Sequence, residues 1–342
     1  MINCPGSESF WDFFKGLYMK YNSISGINKR VSALIFGCAG EVMQAGADNS
    51  ELLDAAFENG INTFDTARGY GQSEVSLGNW VKSRGNREDV VIITKGCHPL
   101  PDTLSVNRVT KNTIDEDLEA SLQKLQTDYV DLYLLHRDDI SIPVAELIDA
   151  LEEKKKQGKI VQYGVSNWTL DRFIEANEYA KSKGYDGFVV NSPNFSLAEQ
   201  VLDPWQSGSE AISIGGKAGK ASREYFTKNS IPVISYSPLA RGLFSGKVKS
   251  DEIKSEADAS KAMDRFALRG YYSKENIEKL RRVEELAKSK AASVSQIALA
   301  YLLCQELTVY PIIGFSKESH LKDNLGALEL ELTMDEITYL ES

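Results

Sequence analysis

The stretch YVDLYLLHRDD, residues 129–139, changes from apolar to polar at a single position. Its first part is an almost continuous apolar run, which is typical of a parallel strand that is covered by helices. The run VVIIT, which begins at residue 90, has the same character and is followed by a lysine. We therefore predict buried parallel strands at Val130–His136 and Val90–Lys95, each with a polar side chain at its carboxyl end.

Similar strands alternate with amphipathic helices along the rest of the chain. Further strands are predicted at Ser32–Phe36, Ile61–Thr66, Val161–Ser166, Gly187–Asn191, Pro232–Ser237 and Val309–Ile313. Helices are predicted where apolar residues recur at helical spacing, namely Ser50–Asn59, Ser73–Ser83, Thr113–Leu125, Val144–Gln157, Thr169–Ser182, Ser222–Thr227, Lys274–Lys288 with Ser293–Cys304, and Lys317–Leu325. Eight strands that alternate with eight helical units favour an α/β fold, the (β/α)8 TIM barrel.

An open doubly wound sheet is the competing architecture. Such a sheet usually binds its nucleotide at a G-x-G-x-x-G turn after the first strand, but LIFGCAGEV provides only Gly37 and Gly40. Ahead of the first strand, residues 20–34 alternate in polarity around a Ser-Gly turn, which predicts a β-hairpin that closes the barrel floor. We divide the chain into an N-terminal extension, residues 1–18, and a single barrel domain, residues 19–342.

Two connections are much longer than the others. Glu199–Ala221, after the sixth strand, is rich in glycine and other small residues, and Leu239–Tyr272 follows the seventh strand. Loops of this length usually serve as lids or mobile segments. Both follow strands at the face where barrel enzymes keep their active sites, so we expect them to border the site.

The composition narrows the range of functions. Of 342 residues, 42% are hydrophobic and 26% are charged, and the net charge is −10, so neither nucleic acid nor an anionic membrane is an expected partner. The four cysteines, Cys4, Cys38, Cys97 and Cys304, form no C-x-x-C pair, which indicates reduced thiols and a cytoplasmic protein. The sequence also contains no recognisable signal peptide or membrane-spanning apolar run.

Four side chains with complementary chemistry follow three successive strands. Asp65 and Tyr70 follow the second strand, Lys95 ends the third and His136 ends the fourth, so all four should converge at the mouth of a barrel. An ammonium group beside a tyrosine stabilises the phenolate and is expected to lower the pKa of the phenol. A carboxylate holds the lysine, and a histidine polarises a carbonyl oxygen. The set forms a general acid without a metal cluster, which fits carbonyl reduction by hydride from a cofactor.

Other interpretations of these residues remain open. Taken singly, Asp65 could cap a helix, Lys95 could end an exposed strand, and His136 could be structural. A barrel glycoside hydrolase that pairs Asp65 with Asp138 or Asp139 is an alternative function, but it leaves the lysine and the tyrosine without a role. A regulatory subunit that senses NADP without turnover is another alternative, although it would not require all four residues.

Six segments of the chain resemble the aldo-keto reductase family, and they occur in the family's order. They are FDTARGYG, ITKG, LYLLHRDD, GKIVQYGVSNW, VISYSPLARGLFSGK and PIIGFSKESHLKDNLGAL, within a similarity that extends from about residue 19 to residue 332. The resemblance implies a TIM barrel that reduces an aldehyde or ketone to an alcohol with NAD(P)H, bound extended without a Rossmann domain. It also implies that Tyr70 is the proton donor, that Lys95 tunes it with support from Asp65, and that His136 orients the carbonyl.

The resemblance also implies the position of the nicotinamide. Ser166 and Asn167 are expected to bind its carboxamide, and Tyr236 is expected to stack on its ring. Asn191 stands where the family usually has a glutamine, and its shorter amide is expected to reach the carboxamide directly or through water.

The remaining cofactor contacts are expected along the pyrophosphate and at the adenosine end. Lys317 is a partner for a 2′-phosphate, which favours NADP, with NAD as the alternative. His320 stands where many family members carry an arginine or glutamine, and it clamps a phosphate more weakly than arginine does. The expected residues are Ser237, Leu239, Arg241, Gly242, Lys247, Gly314, Ser316, Lys317, His320, Asp323 and Asn324.

The substrate pocket is expected to include Cys38, Arg68, His98, Arg137 and Trp168. Trp168 offers a flat face for a sugar or an aromatic ring, and the two arginines and His98 offer polar groups. This composition predicts a sugar, a polyol-derived carbonyl or an acidic carbonyl compound as the small-molecule substrate.

Overall fold

Eight parallel strands close into a barrel in the computed structural model, which describes residues 19–205 and 210–342. The predicted N-terminal extension, residues 1–18, lies outside the described residues. The strands are β1 (Tyr21–Asn22), β2 (Val31–Ser32), β3 (Ile35–Gly37), β4 (Thr63–Asp65), β5 (Val91–Gly96), β6 (Val130–Leu135), β7 (Ile160–Ser166), β8 (Asn191–Ser192), β9 (Val233–Ser235) and β10 (Val309–Ile313). Around the barrel the strands follow the order β10-β3-β4-β5-β6-β7-β8-β9, which confirms the predicted (β/α)8 fold.

Helices connect the barrel strands and cover their outer face. They are α1 (Glu41–Gln44), α2 (Ser50–Glu58), α3 (Ser73–Arg84), α4 (Lys111–Leu125), α5 (Val144–Lys156), α6 (Leu170–Ser182), α7 (Lys220–Lys228), α8 (Glu256–Ala262), α9 (Arg265–Tyr271), α10 (Lys274–Ser289), α11 (Val294–Leu303), α12 (Glu318–Gly326) and α13 (Met334–Glu341). Every predicted helix is present with nearly the predicted bounds. The long connection after β9, for which no helix was predicted, contains α8 and α9. No described helix is long and apolar enough to cross a bilayer.

Alternation along the strands decides which side chains enter the barrel. On β5, Val91 and Ile93 belong to the apolar cluster inside the barrel, whereas Ile92 belongs to the cluster between barrel and helices. The same alternation holds on β6 from Leu132 to Leu135. Because successive side chains point to opposite faces of a strand, the inward series continues to Lys95 and to His136. Strand periodicity thus brings both residues to the carboxyl-terminal mouth.

The N-terminal hairpin closes the barrel floor, as the alternating sequence predicts. Strands β1 and β2 pair antiparallel, with Tyr21 opposite Ser32. Ile24 and Ile27, in the turn between them, join the apolar cluster inside the barrel. The hairpin therefore buries apolar surface that the floor would otherwise expose to water.

The predicted strand Ser32–Phe36 is wrong at its start, because two separate strands share these residues. Ser32 belongs to the hairpin, and the barrel strand begins at Ile35. The hydroxyl of Ser32 donates to the carbonyl oxygen of Leu34 at 2.8 Å. Such a local bond from side chain to backbone competes with the strand ladder and bends the chain.

The predicted strand Gly187–Asn191 is also wrong in its bounds, because β8 begins only at Asn191. Gly187 has a φ of +76°, in the left-handed region, so the chain is not extended there. A Cβ at this position would lie 2.7 Å from the amide oxygen of Asn177, so a side chain would also lack space.

A buried acid fixes the floor end of β5. The carboxylate of Asp131, on β6, accepts a hydrogen bond from the backbone N–H of Ile92 at 2.9 Å. It also pairs with Arg87 at 2.9 Å and with Lys29 at 3.0 Å. Asp131 is 2% exposed, so these cations compensate a carboxylate that water hardly reaches.

The close approach of α3 to α4 can be tested by a substitution at Gly78. A Cβ at Gly78 would lie 2.6 Å from backbone atoms of Lys124 and Leu125, which cannot rotate away. We expect Gly78→Ala to lower the free energy of unfolding by about 1–3 kcal/mol, although alanine intrinsically favours a helix by about 1 kcal/mol over glycine. Gly40→Ala is the control, because nothing lies within 4 Å of its added Cβ. Urea unfolding measures both; equal midpoints for the two variants would contradict this packing.

Candidate active site

A buried ion pair occupies the mouth of the barrel between β4 and β5. The Nζ atom of Lys95 lies 2.6 Å from each carboxylate oxygen of Asp65 and 3.0 Å from the carbonyl oxygen of Thr66. Lys95 is 2% exposed and Asp65 is 3% exposed. Burial acts to lower the pKa of Lys95, but Asp65 and Tyr70 together raise that pKa above its ordinary value. Lys95 therefore carries its positive charge in a site that is nearly free of water.

Tyr70 is brought to this charge by a turn after β4. Its backbone N–H donates to the carbonyl oxygen of Ala67 at 3.0 Å, and Gly71 follows with a φ of +55°. The ring centroid of Tyr70 lies 5.1 Å from Nζ of Lys95. The glycine gives the turn its left-handed conformation at little cost.

The pKa of Tyr70 is raised in the structure, whereas the sequence predicted that the neighbouring lysine would lower it. Burial raises the pKa of the Tyr70 hydroxyl above its ordinary value, and the attraction of Lys95 only partly opposes this. The phenol is therefore protonated at neutral pH, and it has a cation beside it that stabilises the phenolate once the proton has left.

His136 faces the same space from the end of β6. Its ring lies 5.6 Å from the ring of Tyr70 and 4.7 Å from that of His98. Burial, followed by His98, Lys95 and Arg137, holds the pKa of His136 well below its ordinary value, so the imidazole is neutral. Among the described residues, no group hydrogen-bonds to its buried Nδ1 atom. The imidazole therefore has hydrogen-bonding capacity that no described residue uses.

The predicted nicotinamide contacts lie close together, but most of them already form hydrogen bonds within the protein. Ser166 donates to the carbonyl oxygen of Ser192 at 2.7 Å. The amide oxygen of Asn167 accepts from the hydroxyl of Tyr236 at 2.7 Å and from the N–H of Ile212 at 3.2 Å. Because two donors already use this oxygen, a carboxamide would have to replace one of them there.

Asn191 is the predicted nicotinamide contact with unused hydrogen-bonding capacity. It is 1% exposed, and its amide oxygen has no hydrogen-bond partner among the described residues. A buried unpaired oxygen is costly, and the N–H₂ group of a carboxamide would satisfy it. This position therefore fits a nicotinamide despite the shorter side chain.

The predicted pyrophosphate loop begins with unusual backbone geometry. After β9, φ is +52° at Ser237, +51° at Arg241 and +98° at Gly242. Leu239 is partly buried, Lys247 is exposed, and the guanidinium of Arg241 pairs with Asp264 at 3.1 Å. The loop thus bends sharply beside β10, the strand that leads to the predicted adenosine end.

The predicted adenosine end surrounds the start of α12. Gly314, Ser316, Lys317 and His320 are exposed there. Asn324 is buried and Asp323 accepts a hydrogen bond from Ser295, so these two residues face the protein rather than open solvent. The backbone N–H groups at the start of a helix favour an anion.

Two of the predicted substrate contacts are buried in the structure. Cys38 is 0% exposed, and burial raises the pKa of its thiol, which makes it an inert part of the wall. Trp168 is 1% exposed, its indole N–H donates to the carbonyl oxygen of Arg137, and its ring packs against Phe188 and Arg172. It therefore has no free face for a sugar.

The predicted polar substrate contacts belong to the segments that carry Tyr70 and His136 or that follow β5. Arg68 and His98 are partly exposed, whereas Arg137 is 5% exposed. The nearness of Arg137 to both His98 and His136 contributes to the lowered pKa of each imidazole. Reasoning from the sequence missed Asp117 and Arg108, which hold the turn that carries His98, because neither belongs to a local motif.

The chain is similar to known proteins of one family. Residues 35–342 match the model of the aldo/keto reductase family. Aldo-keto reductase ausK of Emericella nidulans is 32% identical over 301 residues, which cover 85% of this chain and 71% of that protein. Aldo-keto reductase yakc of Schizosaccharomyces pombe, whose name specifies NADP(+), is 30% identical, with 90% of this chain and 86% of that protein covered.

A solved structure has the same fold. It is the crystal structure of a thermostable aldo-keto reductase, Tm1743, in complex with the inhibitor epalrestat. The TM-score is 0.68 at 26% identity, with 94% of this chain and 99% of that chain covered.

The lowered pKa of His136 can be tested by NMR. An ordinary histidine titrates near a pKa of about 6.5, but we expect the ring of His136 to stay neutral from pH 8 to pH 6 because charging a buried ring beside Lys95 is unfavourable. Its imidazole signals should therefore keep constant chemical shifts over this range. The variant His136→Gln identifies these signals by their loss, and a titration midpoint near 6.5 would contradict the neutral state.

Proposed function

The chain belongs to the aldo/keto reductase family, and on this basis we propose that it reduces an aldehyde or ketone to the alcohol, with hydride from NAD(P)H and a proton from Tyr70. The observation that carries the proposal is a protonated phenol held next to a buried ammonium and a neutral imidazole. These groups protonate and orient a carbonyl oxygen, but none of them supplies a hydride. The cofactor supplies it.

The proton comes from the hydroxyl of Tyr70. As hydride reaches the carbonyl carbon, negative charge grows on the carbonyl oxygen, and that oxygen takes the phenol proton. Lys95, with Nζ 5.1 Å from the ring centroid, stabilises the phenolate that remains. Asp65 holds the ammonium in place, because both of its oxygens lie 2.6 Å from Nζ.

His136 orients the carbonyl group. A neutral imidazole carries one N–H group, which donates a hydrogen bond to the carbonyl oxygen without adding a second full charge beside Lys95. The rings of His136 and Tyr70 are in T-shaped contact, with centroids 5.6 Å apart, so the two side chains are near enough to act on one small substrate.

NADP is the cofactor that the residues favour. Asn191 offers an unused amide oxygen to the nicotinamide carboxamide, and Tyr236 offers a ring close to Asn167. Lys317 immediately precedes α12, where an ammonium and the helix N–H groups would together favour a 2′-phosphate.

The substrate that best fits the mouth has an apolar body. Large apolar side chains are exposed on the segments that follow β3, β5, β6 and β8, at the end of the barrel that carries Tyr70: Val42, Leu100, Leu104, Val106, Ile140, Val201 and Leu202. Where exposed apolar groups form one contiguous patch, they often mark a binding surface. An apolar aldehyde or ketone is therefore favoured over a sugar, particularly since Trp168 has no free face.

The two alternative functions are less well supported. A glycoside hydrolase needs two carboxyl groups beside one bond, but Asp65 is held by Lys95 and Asp138 pairs with Arg172 at 3.3 Å. A protein that senses NADP would not need a proton donor, although binding without turnover by the wild-type protein would favour it.

Replacement of the proton donor tests the reaction. We expect Tyr70→Phe to reduce turnover of an aromatic aldehyde by about 10²–10⁴-fold, because the ring remains but its proton is lost. The affinity for NADPH, followed by nicotinamide fluorescence, should stay nearly unchanged. Tyr21→Phe is the control, since this floor tyrosine donates to the carbonyl oxygen of Gly60 instead. Full turnover by Tyr70→Phe would remove the assigned role.

The cofactor preference is tested at Lys317. A hydrogen bond to a charged group contributes about 1.5–3 kcal/mol, so Lys317→Met should raise the Kd for NADPH about tenfold or more. The Kd for NADH, which lacks the 2′-phosphate, should not change. Lys322→Met is the matched control, because Lys322 lies on α12, the helix that Lys317 precedes, and pairs with Glu318 at 2.8 Å. Equal weakening of both cofactors would contradict a phosphate contact.

A further inference from the structure

We propose that Asp117 and Arg108 are positioning residues, which hold the turn after β5 so that His98 supports His136 and Tyr70. Neither residue is placed at the reacting atoms. The inference rests on the reductase function proposed above, and it concerns a part of the chain that none of the family motifs includes.

The turn after β5 has a conformation that needs support. Lys95 is the next-to-last residue of β5, and two residues later Cys97 has a φ of +66°. A residue with a Cβ in the left-handed region costs about 1–2 kcal/mol. Strain of this kind persists where surrounding contacts fix the backbone.

Asp117 and Arg108 supply those contacts on both sides of the turn. The carboxylate of Asp117, on α4, accepts a hydrogen bond from the N–H of Cys97 at 2.8 Å. The guanidinium of Arg108 donates to the carbonyl oxygen of His98 at 2.9 Å and to the two oxygens of Asp117 at 3.2 and 3.1 Å. One ion pair thus holds the backbone before and after the strained peptide.

The fit around this ion pair is close. A Cβ at Gly96 would lie 1.9 Å from the hydroxyl of Tyr133 and 3.0 Å from Cβ of Asp117. Asp117 is 4% exposed, so Arg108 is required to compensate its charge. The strand end can therefore neither take a side chain nor move outward without breaking these contacts.

The turn acts on the reacting groups through His98. The Nδ1 atom of His98 lies 2.8 Å from the carbonyl oxygen of Pro99, and since a carbonyl only accepts, Nδ1–H donates and fixes the ring. The ring lies 4.7 Å from that of His136. On its other side His98 packs on Gly69, where an added Cβ would lie 3.6 Å from Cβ of His98, and Gly69 immediately precedes Tyr70.

The floor of the barrel provides a matched control. Asp131 accepts from the N–H of Ile92 at 2.9 Å and pairs with Arg87 at 2.9 Å, which repeats the same arrangement at the opposite end of β5. The side chains of Arg87 and Arg108 are 16% and 20% exposed, so their burial is similar. The floor pair supports the same strand but lies away from His98.

The test compares Arg108→Met with Arg87→Met in the full chain. Both should lower the melting temperature, because each removes a cation that compensates a buried carboxylate; Asp131 still keeps Lys29 at 3.0 Å. With NADPH and 4-nitrobenzaldehyde, we expect Arg108→Met to lower kcat about tenfold, since a displacement of about 1 Å can cost up to 10²-fold. The Kd for NADPH should stay unchanged, Arg87→Met should keep the wild-type kcat, and Arg108→Lys should restore part of the loss. Equal kcat values for the two methionine variants would overturn the proposal.

A double-mutant cycle tests whether the effect passes through His98. In the His98→Ala background, Arg108→Met should cause no further loss of kcat, because the residue that it positions is absent. If the kcat losses of the two single variants multiply in the double variant, the proposed route through His98 is overturned.

An NMR measurement separates this inference from the reductase function. If the wild-type protein reduces no aldehyde, the proposed function fails, but the positioning can still be observed in the free protein. The imidazole signals of His136 should shift in Arg108→Met and remain unchanged in Arg87→Met, because only the first variant releases His98 from its place beside His136. Unchanged His136 signals in both variants would overturn the inference.

Discussion

The ion pair between Asp65 and Lys95 is the constraint on which the rest of the mouth depends. Removing two charges from water is costly, and this cost is compensated only because both carboxylate oxygens lie 2.6 Å from one nitrogen that also donates to the carbonyl oxygen of Thr66. The pair requires β4 and β5 to be neighbours in a fixed register. Barrel closure and strand alternation meet this requirement, since both residues occupy inward positions at their strand ends.

The positive charge of Lys95 affects the protonation of two neighbours, His136 and Tyr70. It opposes the charging of His136, which burial already disfavours, so the imidazole stays neutral. It favours the phenolate of Tyr70, but burial outweighs it until the proton is drawn away. Burial and the charge of Lys95 together therefore leave a neutral hydrogen-bond donor and a protonated phenol in the same small space.

The sequence was sufficient to predict the barrel and the residues at its strand ends. Apolar runs that end in Lys95 and His136 follow from strand periodicity, which is a local property. The burial of Trp168 between Phe188 and Arg172 could not be predicted, because it depends on packing between distant parts of the chain. Asp117 was missed for a similar reason. An acid in the middle of an amphipathic helix has the pattern of a surface residue until the strand that it contacts is known.

The two ends of β5 show how a barrel can fix a catalytic strand. At the floor, a carboxylate from the neighbouring strand β6 holds the backbone of Ile92, and at the mouth a carboxylate from α4 holds that of Cys97. The strand ladder itself cannot hold the mouth, because the chain leaves the sheet there in a left-handed turn. A helix must supply the missing acceptor, and its acid then needs a cation of its own. The mouth end of β5, next to Lys95, is thus held by contacts from outside the strand ladder, as a site that depends on distances of a few ångströms requires.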